Sequence, residues 1–404
     1  MARRTPTSHV FIILVTLVVA AGCKSVVERQ NVTPRVLRDV PAQNLAYRLS
    51  PDTAQPVDVD GADVLDKLEA IANEFATKRT DDALLRTVKS PDGTRVLAVY
   101  SPGDEPGAAF RIDLYNVEGM FLKNLVPPDL ACFFPETVAW SPDGNYINFI
   151  ARKRAAPSPT PTPPLRDLPE PDASPVASAS PSVSPFFAPV ASYTTEQIYI
   201  CNRDGYDLKP LTAREGLIYF YFAWAPDAHA MVALACKEDE WMQRENQSKT
   251  PAGRPRLILR DGSERLLDDG ITEALPVWSP DASKVATAFG TDVAIYDSTA
   301  KTPTQARIGL RDQLLAASAT FDEAAKNRAP SSSASPSSSP AASPSPSPTS
   351  SREPASFNPI VRLEWPSPER LYFQTAYVRL RPIEAFTFPR WHLLNLSAQA
   401  AVLK

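Results

Sequence analysis

The 404-residue sequence predicts an all-β fold, a β-propeller of five four-stranded blades, with a short N-terminal helix and two disordered Pro/Ser-rich insertions. Three observations carry this expectation. First, a motif repeats: Val88-Lys89-Ser90-Pro91-Asp92-Gly93, Ala139-Trp140-Ser141-Pro142-Asp143-Gly144, Ala223-Trp224-Ala225-Pro226-Asp227-Ala228 and Val277-Trp278-Ser279-Pro280-Asp281-Ala282. Glu364-Trp365-Pro366-Ser367-Pro368-Glu369 is a degenerate fifth copy. In each, Pro sets φ for a tight turn and Asp bonds the backbone two residues on, so the flanking apolar strands meet antiparallel. Second, another hairpin follows in each unit, turning at Val117-Glu118-Gly119, Arg203-Asp204-Gly205, Arg260-Asp261-Gly262, near Asp297-Ser298-Thr299, and near Ser397. Two hairpins make four strands, one blade. Third, the spacing holds. Asp92 to Glu118 is 26 residues and Asp143 to Asp204 is 61; the 33-residue stretch Pro157–Pro189 accounts for most of the excess.

Each element has its own cause. Arg3 and Arg4, the apolar run Val10–Val19, and Ala20-Ala21-Gly22-Cys23 resemble a bacterial lipoprotein signal. That resemblance implies cleavage after residue 22, a lipid on Cys23, and attachment to a membrane. The run is short for a bilayer span, and an uncleaved anchor helix is the alternative. Lys24 resembles the outer-membrane-directed pattern. The expected division is therefore a signal peptide at 1–22, a lipidated tether at 23–43, an N-terminal strand and amphipathic helix at 44–83, and the propeller at 84–404. Val64, Leu68, Ile71 and Phe75 share one face of a helix over Asp60–Lys78, with Asp60 or Asp63 as its cap. A second helix is expected over Asp312–Lys326. Leu45–Ser50 is read either as part of a sixth blade or as a strand closing the ring. Pro157–Pro189 and Pro330–Pro354 hold 18 of the 42 prolines and are expected to be disordered surface insertions.

Val138-Ala139-Trp140-Ser141-Pro142-Asp143-Gly144, then Gln197-Ile198-Tyr199 through Asp204-Gly205, then Leu211-Thr212, resembles the TolB-like β-propeller repeat. The resemblance spans about residues 84–404. It implies the fold and not an activity, because propellers host unrelated functions.

Composition narrows the function. A formal charge of −4 with Lys and Arg dispersed among acids gives no basic stripe for nucleic acid. Cys132, Cys201 and Cys236 allow either one disulfide with one free thiol or three buried thiols. After His9, only His229 and His392 remain, too few for a multi-histidine metal site. There is no Gly-x-Ser-x-Gly elbow, phosphate-binding loop or His-Glu-x-x-His. Asp92, Asp143, Asp227, Asp281 and Glu369 recur once per blade, but the turns they form explain them without chemistry. Asp58 to Asp63 reads as helix capping rather than a calcium loop.

These readings favour a chain that is not an enzyme: an envelope-anchored scaffold without cofactor, binding a protein partner and held to the membrane by its lipid. Propeller-type glycosidase chemistry with channel carboxylates is the alternative. The candidate binding residues are Phe186 and Phe187 in the first insertion and Trp241 in the charged loop Lys237–Glu245. Phe133, Phe134 and Ile218–Phe222 mark the same neighbourhood, although Ile218–Phe222 also reads as a packed inner strand.

Overall fold

The computed structural model describes residues 36–56, 67–103, 109–154, 195–328, 358–378 and 387–398. The signal segment, Cys23, Asp60, Asp63, both Pro-rich insertions and the Phe186-Phe187 pair within the first lie outside the described residues. Among the described residues, no helix is long and apolar enough to cross a membrane.

Strand β1 (Leu45–Ser50) precedes helix α1 (Glu69–Lys78). Sheet one follows as β2 (Ala83–Lys89), β3 (Arg95–Ser101), β4 (Arg111–Asn116) and β5 (Phe121–Asn124). Short β6 (Leu130–Ala131) lies on the inner edge of sheet two, which continues with β7 (Ala139–Trp140), β8 (Tyr146–Lys153), β9 (Gln197–Asn202) and β10 (Lys209–Pro210). Sheet three is β11 (Leu217–Trp224), β12 (Ala230–Lys237), β13 (Arg254–Leu259) and β14 (Glu264–Leu266), with helix α2 (Glu238–Asn246) between its second and third strands. Sheet four is β15 (Val277–Trp278), β16 (Lys284–Phe289), β17 (Asp292–Asp297) and β18 (Gln305–Gly309), followed by helix α3 (Arg311–Arg328). Sheet five is β19 (Ile360–Ser367), β20 (Arg370–Val378) and β21 (Thr387–Ala398), and its fourth strand is β1.

Five antiparallel sheets are thus present, as the repeats predict; four have four strands, and sheet two has a fifth, the short β6. The second hairpin expected near Ser397 is not local: β1 pairs with β21 from Leu45↔Ala398 to Ser50↔Leu393. Leu45–Ser50 is thus the fourth strand of sheet five and not part of a sixth unit. This pairing also corrects the tether expected over 23–43. Residues 37–39 and 42–44 form 3₁₀ turns, and Leu37, Val40 and Ala42 are buried in the joint between sheets four and five. The N-terminal helix begins at Glu69, with Ile71 and Phe75 buried against Val96, Ala98, Tyr100 and Tyr115 of sheet one.

The turns follow the residues that predict them. Asp143 Oδ1 accepts from Ser141 Oγ at 2.5 Å and from the Asn145 amide at 3.1 Å, and Asp281 does the same for Ser279 and Ser283. Gly93 and Gly144 sit at φ +69° in these turns. In sheets three and four Ala228 and Ala282 take the equivalent place at φ +59°, a left-handed conformation that an alanine adopts at a cost. Neighbouring sheets pack face to face through apolar side chains. Leu97 and Ile112 meet Ile147 and Phe149, Ile150 and Ile198 meet Tyr219 and Met231, and Val232 meets Val285. The three cysteines are free and buried in these layers, so the disulfide alternative is not taken.

Candidate functional site

A four-stranded meander separates its connections. First-to-second and third-to-fourth strand turns lie at one end of each sheet. Second-to-third connections and links to the next sheet lie at the other. Here the Ser-Pro-Asp and Asp-Gly turns occupy the first end. The second end holds Phe133–Thr137, α2, residues 267–276 and α3. Residues 155–194 and 329–357 also begin and end there. Among the described residues between the sheets, most of the sequence that departs from the repeat lies at this connector end.

At the joint of sheets two and three, Trp241 of α2 is wedged between Phe134 and Phe220, with ring centroids 5.7 and 5.6 Å away. Lys237–Glu245, expected as a loop, is therefore a helix in all but its first residue. Its polar sequence lacks a continuous apolar stripe, and its stability comes from contacts outside that pattern. Glu240 accepts the Lys237 amide at 2.9 Å and a two-pronged ion pair from Arg254 at 2.7 and 2.8 Å, which together hold its carboxyl below the usual range. Arg244 pairs with Glu273 and donates to the Thr250 carbonyl at 2.7 Å, tying α2 to the connector between sheets three and four. The Arg152 guanidinium lies 4.5 Å over the Phe133 ring and 3.4 Å from Glu196. Burial raises the Glu196 carboxyl; the charge of Glu238 adds to this, while Arg152 opposes it.

These contacts hold apolar side chains out toward solvent. Phe133 is 37% exposed, Met242 50%, Ile271 41% and Leu275 47%, and they sit on three connectors: before β7, between β12 and β13, and before β15. Trp241 is at the predicted place but its ring is taken up by its neighbours, and the adjacent Met242 is the exposed one. Ile218, Tyr219, Phe220 and Phe222 are buried, as the inner-strand reading of that stretch requires. Met242 stands beside Trp241 in the stretch the sequence marks, whereas Ile271 and Leu275 carry no sequence signal, because each is a single apolar residue in a polar connector. A second apolar group, Met120, Phe121, Leu122 and Tyr206, is exposed at the opposite, turn end.

The inner strands were the alternative location for chemistry. On β2, β7, β11, β15 and β19 the only carboxylate is Glu364, and Arg362 holds it at 2.9 Å. Tyr221 is pushed up to about 12, first by burial and then by the charge of Glu364, which places these two inner strands near each other. Glycoside hydrolysis needs two carboxylates, and the described inner strands supply one. The recurring aspartates are spent on turns. Among the described residues, no group of three or more His, Cys, Asp or Glu side chains could hold a metal.

No family model matches the chain, and no curated protein matches it. Solved structures do. Oligogalacturonate lyase from Vibrio parahaemolyticus is 9% identical over 77% of this chain and 65% of its own, with a TM-score of 0.36. Prolyl oligopeptidase B from Galerina marginata is 10% identical over 76% of this chain and 34% of its own, at 0.40. TolB from Agrobacterium tumefaciens is 14% identical over 54% of this chain and 63% of its own, at 0.28. The chain spans under two thirds of the length of each. The expectation of a chain that is not an enzyme is corrected by these findings, since a lyase and peptidases stand among the similar structures. At these scores no activity passes from them to this chain.

Proposed function

We propose that this chain is an exported, membrane-tethered propeller that binds a protein of the cell envelope through the connector end of sheets two and three. One observation carries the reading: four exposed apolar side chains on three connectors of the same end, beside the ion pairs and the Trp241 wedge. Apolar surface kept rigidly exposed is characteristic of an interface, and aromatic and Met anchors give large contact area for little lost freedom. Glu238, Asp239 and Glu245 border this surface, so the fitting partner presents apolar groups ringed by basic ones. Phe186 and Phe187 belong to the segment that leaves from Arg154 and returns at Thr195, beside Arg152 and Glu196, and are part of the proposed surface. Lipidation of Cys23 supplies the location, at the envelope and on the outer membrane facing the periplasm.

The test is paired substitution. Phe133→Ser with Met242→Ser removes side chains that are 37% and 50% exposed, so the variant should stay folded with only a modest drop in thermal unfolding. Recovery of crosslinked envelope partners should fall roughly tenfold, the effect of losing one anchor residue. Unchanged recovery would place the interface elsewhere. Cys23→Ser separately tests the anchor: palmitate-analogue labelling and membrane fractionation should both be lost.

A further inference from the structure

The repeat makes one hydrogen bond between neighbouring sheets twice, and the tryptophans of sheets three and five omit it in different ways. The Trp140 indole of sheet two donates Nε1–H to the Val88 carbonyl of sheet one at 3.0 Å. The Trp278 indole of sheet four donates in the same way to the Ala223 carbonyl of sheet three at 3.0 Å. Both acceptors lie two residues before the Ser or Ala of the turn motif. The equivalent acceptor for Trp224 of sheet three is Ala139 of sheet two. Trp224 Nε1 is nevertheless buried without a hydrogen-bond partner. Sheet five departs differently, with Trp365 donating within its own turn to Pro368 at 3.3 Å.

A second anomaly occupies the same place. Asn148, on β8, is the register partner of Ala139. The equivalent positions in sheets one, three and four are Leu97, Val232 and Ala286, all fully buried, and Asn148 is buried just as completely. Neither its Nδ2 nor its Oδ1 has a partner. Ala139 and Trp224 both pack on the apolar cluster between sheets two and three. A polar side chain therefore stands in an apolar layer, opposite in register to the residue whose carbonyl the Trp224 indole misses.

Native proteins do not leave a buried amide and an indole unpaired together; such groups are satisfied by ordered water with two to four polar partners. We propose that Asn148 and Trp224 form a buried water site in the joint between sheets two and three. Ordered water there accepts from Trp224 Nε1–H and Asn148 Nδ2–H and donates to Asn148 Oδ1 and the Ala139 carbonyl. It restores through one intermediary the sheet-to-sheet bond that the neighbouring joints make directly. This joint is wet where the other two are dry.

The chain supplies its own controls. With the indoles of its six tryptophans labelled with ¹⁵N, the Trp224 indole proton should show a cross-peak to a long-lived water. Trp140 and Trp278, bonded to carbonyls, should show none. Asn148→Leu, which installs the residue of sheet one, should abolish the Trp224 cross-peak. Should that variant fail to fold, Trp224→Phe serves instead, and the Asn148 side-chain amide should keep its own contact to water. A crystal structure resolving ordered water should show the molecule between Asn148 and Trp224. Direct bonding of Trp224 Nε1 to the Ala139 carbonyl or to Asn148, with no water cross-peak, would overturn the proposal.

Discussion

Asp297 is the residue on which the N-terminal segment depends most, and removing its carboxylate should be costly. Its oxygens accept from the Ala42 amide at 3.1 Å, the Thr304 amide at 3.0 Å and the Thr304 hydroxyl at 2.6 Å. They also pair with Lys284 Nζ at 3.0 Å, and both side chains of that pair are only 4% exposed. Asp297→Ala strands a buried ammonium, for which the general cost is about 3–5 kcal/mol. It also leaves two backbone amides unpaired. Lys284→Met on the Asp297→Ala background removes the stranded charge, so the double variant should recover about 2 kcal/mol or more of that loss. Urea denaturation measures the cycle. Trypsin cleavage at Arg38 should accelerate in Asp297→Ala, because the Ala42 anchor is gone. A loss below about 1 kcal/mol, or strictly additive single variants, would refute the reasoning. The pH dependence has a defined sign. Burial alone would raise the Asp297 carboxyl, but Thr304, Lys284 and Ala42 outweigh it and the net shift is downward. Its contribution is therefore present above the ordinary carboxylate range and is lost as pH falls through the depressed value.

Three further outcomes are expected. Burial lowers His392 from 6.5 to about 4, so the unfolded chain binds its proton first. Stability from this group is complete above 6.5 and falls by roughly 3 kcal/mol as pH drops toward about 4; a thermal-unfolding series should show this slope and His392→Asn should flatten it. Burial pushes Cys201 and Cys236 up to about 12 and raises Cys132 as well, so alkylation at pH 8 should spare all three in the native protein and reach them in denaturant. Gly93→Ala places a methyl where nothing lies within 4 Å, so its cost is that of a left-handed backbone alone, about 1 kcal/mol in urea melts; 3 kcal/mol or more would contradict this.

What could be read from the sequence was what is written locally. Ser-Pro-Asp and Asp-Gly turns dictate hairpins from a few adjacent residues, and the structure places the expected strands around them. The fourth strand of sheet five comes from Leu45–Ser50, more than 300 positions before its partner in β21, and no local signal ties the two. Burial of Leu37, Val40 and Ala42 was hidden for the same reason: Asp297, which pins Ala42, lies 255 residues away. Helix α2 was missed because its stability comes from Arg254, Phe134 and Phe220, outside its own sequence. Trp241 was visible as an aromatic in a charged stretch. That its ring would be wedged inward and Met242 turned outward depends on which residues meet at the joint.

The connector end and the turn end each expose apolar side chains, and only one of them is the proposed working face. Photo-crosslinking residues placed singly at Phe133, Met242, Phe121 and Tyr206, in cells carrying the full-length protein, compare the two directly. Phe133 and Met242 should yield the same discrete protein adduct, while Phe121 and Tyr206 yield none. Adducts from Phe121 or Tyr206 alone would contradict the assignment of the connector end.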